Sequence, residues 1–142
     1  MKPRWIICDI DGTLSDAGWR ASMLPDWDAF HEASINDNPF ADTVALLEAL
    51  HSDTNIAIVT GRNEKYRGLT NQWLIKNRVR YHAIYMRADD DFSKAADFKL
   101  GVFRRHFSNS EVWLVLEDDE KVVEAFRDVG LTCHQVRAGI IS

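Results

Sequence analysis

Hydrophobic residues in this chain follow two kinds of pattern. Short continuous runs recur at Trp5 to Cys8, Ile56 to Thr60, Tyr81 to Met86, Glu111 to Leu116 and Leu131 to Val136. Runs this short, apolar and partly β-branched fit strands covered on both faces. Between them, apolar positions repeat at helical spacing. Val44, Leu46, Leu47 and Leu50 predict a helix from about Asp42 to His51, with Asp42 as its cap. Tyr66, Leu69, Trp73 and Leu74 predict a helix over Glu64 to Asn77, and Phe98, Val102, Phe103 and Phe107 one over Lys94 to Phe107. Val122, Val123 and Phe126 face inward from a last helix that Gly130 closes. Strands alternating with helices predict a doubly wound α/β domain with a parallel five-stranded sheet. Right-handed crossovers bring the strands' carboxyl ends to one edge, where ligands bind in such folds.

The stretch from Leu14 to Pro39 breaks this rhythm. Trp19, Met23, Leu24, Trp27 and Phe30 are interleaved with Asp16, Asp26, Asp28, His31 and Glu32, and Asp26 to Ala33 suits a short helix. Residues 16–38 therefore read as a flap: a lid or substrate wall, or a packing element with no chemistry. The flap is too short for a large cap, so residues 1–142 read as one domain with a minimal cap.

Composition narrows the class. An apolar content of 46% with 27% charged residues is that of an ordinary globular domain. A net charge of -5 argues against a generally basic nucleic-acid coat, though not against a local basic groove. No apolar run approaches a membrane span, and the amino terminus leads straight into a strand, so neither a membrane partner nor a signal peptide is expected. Cys8 and Cys133, both in apolar runs, are expected as buried free thiols in a reducing cytoplasm. The acidic run Asp89-Asp90-Asp91 reads as a solvated loop rather than a weak cation site.

Candidate chemistry gathers where the strands end. The first run is followed by Asp9-Ile10-Asp11-Gly12-Thr13. Side chains two apart on an extended segment share a side, so both carboxylates are expected in one small volume, with Gly12 allowing a sharp turn. Like charges that close call for a divalent metal, for acid/base chemistry, or for both. A calcium loop of EF-hand type is excluded, because its twelfth position, counted from Asp9, is Arg20 and not Glu. The second strand ends in Thr60-Gly61-Arg62, which suits a hydroxyl and helix-start N–H groups around an anion, or a simple helix cap. The fourth strand ends in Glu117-Asp118-Asp119. No Gly-x-x-x-x-Gly-Lys-Ser/Thr or Gly-x-Gly-x-x-Gly occurs.

Asp9-Ile10-Asp11-Gly12-Thr13-Leu14, Thr60, Lys99 and Glu117-Asp118 together resemble the four motifs of the haloacid dehalogenase (HAD) superfamily of phosphatases, across nearly the whole chain. Lys94 is the rival to Lys99 as the third motif. Thr60-Gly61-Arg62, Arg87 and the segment from Leu114 to Val136 also resemble the 3'-phosphatase domain of bacteriophage polynucleotide kinase/phosphatase. The kinase half has no counterpart here, and Asp119 stands where that family tends to place an arginine.

The resemblance implies a Rossmann-like, HAD-type three-layer fold and a set of roles. Asp9 would be a nucleophile forming an aspartyl-phosphate, and Asp11 the proton carrier. Mg²⁺ would be held by Asp9, the Asp11 carbonyl and Asp118, with Glu117 holding a water. Thr60, Gly12, Thr13 and Gly61 would bind phosphoryl oxygens, and Lys99 would offset charge. Arg62 and Arg87 would grip a second phosphate or a nucleic-acid backbone, or else are surface cations. The implied substrate is a phosphorylated nucleic-acid 3' end, in a bacterial or phage-infected cytoplasm. The alternatives are a phosphatase of nucleotides or other small phosphomonoesters, and a non-catalytic phosphate-binding module.

Overall fold

The computed structural model describes residues 4–139. Each apolar run becomes a strand: β1 (Arg4–Cys8), β4 (Thr54–Asn63), β5 (Ala83–Arg87), β6 (Val112–Glu117) and β7 (Cys133–Gln135). They form one parallel sheet in the order β5-β4-β1-β6-β7. The chain leaves β1 toward β4 and β5, then crosses to β6 on the other side. The crevice beside β1 is thus a topological switch point, where open α/β sheets bind ligands.

Among the described residues, five α-helices accompany the sheet: α1 (Trp27–Glu32), α2 (Ala41–Leu50), α3 (Arg67–Lys76), α4 (Ala95–His106) and α5 (Glu120–Asp128). Alternation along β1 divides the core into two layers. Ile6 and Cys8 join Ile56, Ile58 and Leu116 under Leu47, Trp73 and Leu74 of α2 and α3. Ile7 joins Val59 and Val115 under Phe98, Val102, Phe103, Val122 and Phe126 of α4 and α5. The result is the expected helix–sheet–helix sandwich. Both cysteines are buried and free.

Three local expectations change. Asp42 does not cap α2; the cap position is Phe40, and Asp42 lies in the first turn, paired with Arg137 at 2.9 Å. β4 does not stop at Thr60 but runs on to Asn63, which faces Arg87 across the sheet. The next helix starts as a 3₁₀ turn over Glu64–Tyr66, and Asn63 accepts the Lys65 N–H as its cap. No helix start therefore follows Thr60-Gly61 directly, and Thr60 is not a helix cap. The fifth strand is trimmed to three residues.

The irregular stretch folds as a flap. β2 (Ser15–Asp16) and β3 (Asn38–Pro39) pair antiparallel at its base. A 3₁₀ segment at Gly18–Met23, α1, and a 3₁₀ turn at Ala33–Asn36 lie between them. Asp37 fastens it: its carboxylate accepts from the Trp19 indole at 2.8 Å, and its carbonyl accepts from the Trp73 indole at 2.9 Å. No helix among the described residues is long and apolar enough to cross a membrane.

Candidate active site

Strand β1 ends at Cys8, so Asp9 and Asp11 sit in the turn beyond it rather than on the strand. Ile10 between them is fully buried, and its carbonyl accepts the N–H groups of Thr13, Leu14 and Ser15. The period-two rule lapses once the strand stops, and the two carboxylates take different partners. Both line one cavity of about 490 Å³, but not as a pair aimed at one point.

Asp9 faces the end of β6. Asp9, Glu117 and Asp118 bring three buried carboxylates together, with one oxygen from each within 4.8 Å of the others. Lys99 of α4 reaches in with its Nζ 3.0 Å from Asp9 Oδ1 and 2.8 Å from Glu117 Oε2. Lys94 is the cap residue of α4 and is exposed, so Lys99 is the lysine that meets Asp9. Burial opposes the Lys99 charge, yet Asp9 and Glu117 hold its ammonium above the usual range. The carboxylates show the opposite stress. Burial and the nearby Asp9 push Glu117 well up, against the pull of Lys99. Burial, and then Asp9, push Asp118 up to about 7. One lysine does not neutralise three carboxylates in low dielectric.

Gly12 and Thr13 bind the two ends together. Gly12 has φ +82°, and a Cβ there would stand 2.1 Å from Asp118 Oδ2, so only glycine fits. Thr13, expected at the substrate, is fully buried and donates its hydroxyl to Asp118 Oδ1 at 3.1 Å. It shapes the carboxylate cluster from behind.

Asp11 belongs to a second cluster. Its Oδ1 accepts from Arg20 Nη2 at 2.6 Å and from Arg62 Nη2 at 2.7 Å, and its Oδ2 accepts from Arg62 Nε at 3.1 Å. Burial alone would raise its carboxyl, but Arg62, and then Arg20, hold it well below the usual carboxylate range. The Asp11 side chain is therefore no part of the metal-type cluster, which leaves only its backbone carbonyl for a cation. Arg62 is fully buried between Asp11 and Thr70 Oγ1 (3.1 Å). It is not turned outward to grip a second phosphate. Glu117, expected to hold a water, directs Oε2 at Lys99 and accepts the Asp119 N–H at 3.3 Å.

Thr60 is buried beside this group, and its Oγ1 accepts the Arg62 N–H at 3.2 Å. Arg87, the last residue of β5, lines the cavity. It donates to the Gly61 carbonyl at 3.1 Å and the Ser93 carbonyl at 2.6 Å, and its guanidinium lies 5.0 Å over the Phe98 ring.

Several residues around the site take roles that the sequence reading did not assign them. Arg20 is fully buried and also pairs with Asp37 Oδ2 at 2.8 Å. Arg137 donates to the Thr13 carbonyl at 2.8 Å and stacks 3.6 Å over Phe40, clasping the turn after β1 from the last strand's exit. His31 lines the cavity with a buried Nδ1 that has no hydrogen-bond partner. Burial pushes its imidazole down to about 4, with Arg62 and Arg20 helping against Asp11. Asp119, noted as a departure from the family, caps α5 by accepting the Lys121 and Val122 N–H groups. An aspartate just before a helical pattern was a legible signal for that role; no spacing rule announces the others.

Comparison with known proteins agrees with this geometry. The family described as "Polynucleotide kinase PNKP phosphatase domain" matches residues 3–140. A chain of the Pnkp1/Rnl/Hen1 RNA repair complex superposes with a TM-score of 0.84 at 26% identity, over 96% of this chain and 43% of that chain. The present chain thus spans less than half of that protein. A haloacid dehalogenase-like hydrolase from Streptococcus pneumoniae shares the fold at TM-score 0.66 and 16% identity, over 92% of this chain and 83% of its own. The HAD-hydrolase YfnB from Bacillus subtilis, described as bound to magnesium, does so at TM-score 0.67 and 14% identity, over 94% and 88%. With the acidic cluster at the switch point and the match across the chain, this protein belongs to the PNKP phosphatase-domain family of HAD-type phosphatases.

Proposed function

We propose that the chain hydrolyses phosphomonoesters through an aspartyl-phosphate on Asp9, with a divalent metal, and that its substrate is a polynucleotide 3'-phosphate end. The observation that carries this reading is the placement of Asp9: a buried carboxylate held by Lys99 at the centre of a three-carboxylate cluster. The cluster fits a hard cation. It offers only oxygen donors, and burial, together with the crowding against Asp9, pushes Glu117 and Asp118 up. Asp9, Asp118 and the Asp11 carbonyl would hold Mg²⁺, with Glu117 behind them. When bound, the ion would neutralise charge on the phosphoryl oxygens and leave Asp9 free to attack.

The chain's own groups supply the rest. An Asp9 oxygen bonds to phosphorus as the ester oxygen departs, and Asp11 gives that oxygen a proton. A water then attacks the acyl phosphate, Asp11 takes its proton, and Asp9 and inorganic phosphate are released. Between its two arginines Asp11 is a carboxylate but a weak base, so the second half requires it to loosen from those guanidiniums. The first half requires a protonated Asp11 turned away from those guanidiniums. Lys99 offsets charge at Asp9 throughout. Thr60 and the Gly12 and Gly61 backbones are assigned to the phosphoryl oxygens, and Arg87 to the substrate side of the cavity.

The link to nucleic-acid ends is supported by the family and by the neighbour's place in an RNA repair complex. A second reading, a phosphatase of nucleotides or other small phosphomonoesters, is favoured by the acidic lining from Asp28, Asp89, Asp91 and Asp119. The deciding experiment is phosphate release from matched 3'-phosphate and 5'-phosphate oligonucleotides with Mg²⁺, with Asp9→Asn as the blank. Release from the 3' end alone is the expected result. Release from neither, with turnover of a small phosphomonoester, would install the second reading.

A further inference from the structure

Beyond the carboxylates the cavity changes character. A volume of about 490 Å³ exceeds what one phosphoryl group fills, and its outer part is lined by Trp27, His31, Tyr66 and Phe92. Trp27 and His31 are stacked, with centroids 5.8 Å apart and planes at 27°. His31 in turn lies 5.1 Å from the Tyr66 ring. This column of flat groups ends in Trp27, which is 54% exposed, and Phe92 on the β5–α4 loop is 92% exposed. Trp27 and Phe92 thus leave two large aromatic faces open at the mouth of the site.

The cations at this mouth are already engaged. Lys65 pairs with Asp28 at 2.7 Å, and Arg87 with Gly61, Ser93 and, at 3.6 Å, Asp91. Among the described residues lining the mouth, carboxylates balance both. A run of phosphates finds no uncommitted charge there, whereas an uncharged planar group finds open aromatic faces.

We propose that this rim binds the nucleobase of the terminal nucleotide by stacking on Trp27, with Phe92 closing over it, so that the enzyme reads a terminal nucleoside and not a stretch of backbone. The inference rests on the 3'-end reading and deepens it. Stacking tolerates every base, because each has a π-face. It also makes little demand on salt, unlike phosphate gripping. Trp27 stands on the flap, so the flap becomes a substrate wall.

The test compares two 3'-phosphate oligonucleotides, identical except that one ends in a normal nucleotide and the other in an abasic residue. The wild type is expected to favour the normal end by about tenfold in kcat/KM, within the range a stacked base supplies. Trp27→Ala is expected to bring that ratio close to one, and Trp27→Phe to restore most of it. The ratio should hold between about 50 and 200 mM salt. Equal rates on the two ends by the wild type, or a ratio that survives Trp27→Ala, would overturn the stacking subsite while leaving the 3'-end reading intact. No release from either end, with glycerol phosphate still hydrolysed, would overturn the 3'-end reading and the inference with it.

Discussion

Asp9 and Asp11 are separated by one residue and sit in opposite fields. Asp9 is crowded by two other carboxylates and relieved by one lysine, while Asp11 is a single carboxylate gripped by two arginines. The first side is short of positive charge and suits a cation. The second is fully satisfied and holds the flap through Arg20 and Asp37. Neighbouring positions thus acquire their chemistry from what is folded against them. Asp9 meets α4 and β6, and Asp11 meets the flap and the end of β4.

The sharpest way to break this contrast is Asp9→Asn. Turnover should fall by at least about 10⁴-fold, as when a nucleophile is lost. The melting temperature should hold or rise, since one of three crowded carboxylates is neutralised. Full activity in a phosphate-release assay would remove Asp9 from its role. Lys99→Ala comes next. It should lower kcat by about 10²–10³-fold and, by leaving Asp9 and Glu117 unpaired, reduce stability by about 3–5 kcal/mol. Lys94→Ala should match the wild type in both measurements.

On the arginine side, Arg20→Ala should cost about 3–5 kcal/mol in denaturant unfolding, because Asp37 is left charged and buried. Adding Asp37→Ala should recover part of that loss; a second loss of equal size would show that the pair is not coupled.

The acidic side should also show itself in pH. Asp118 is pushed up to about 7 by burial and Asp9, whereas the unfolded value is roughly 4. A raised carboxyl adds stability that is whole below the unfolded value and is lost as pH rises through the folded one. With chelator present, the melting temperature should therefore decline between about pH 4 and pH 7 from this group, and Asp118→Asn should flatten the decline. Excess Mg²⁺ should remove it too, by supplying the missing charge. The smallest effect is expected for Arg137→Ala. Its ion pair with the exposed Asp42 contributes little, and the lost bond to the Thr13 carbonyl about 1 kcal/mol. A larger loss in thermal melts would mean that this clasp governs the turn after β1.

Much of this arrangement was legible. Strands buried on both faces must be apolar throughout, so the five runs marked the sheet, and Asp9 and Glu117-Asp118 stood out where those runs end; Lys99 was picked out only by the resemblance to the HAD motifs, beside its rival Lys94. Asp119 could have been read as the cap of α5. Arg62 was misread because a cation after a strand gives no sign of which way it turns; β4 carried on for three residues and drew it inward to Asp11. Arg20, Asp37 and Arg137 gave no signal, and His31 none beyond its place in the flap. Their partners lie on other segments, from Asp11 to Asp37 for Arg20 and across nearly the whole chain for Arg137.

The amino-acid order by itself determines the alternation of strand and helix, the convergence of acidic turns at one sheet edge, and the glycine that the first turn demands. These depend on local periodicity and on steric limits carried by each residue. Tertiary packing decided which charges meet. It placed Lys99 among carboxylates, locked Asp11 between two arginines, and left the flap's tryptophan facing the open cavity. Pair energies depend on distance and burial, and both are set only when segments far apart in sequence close on one another.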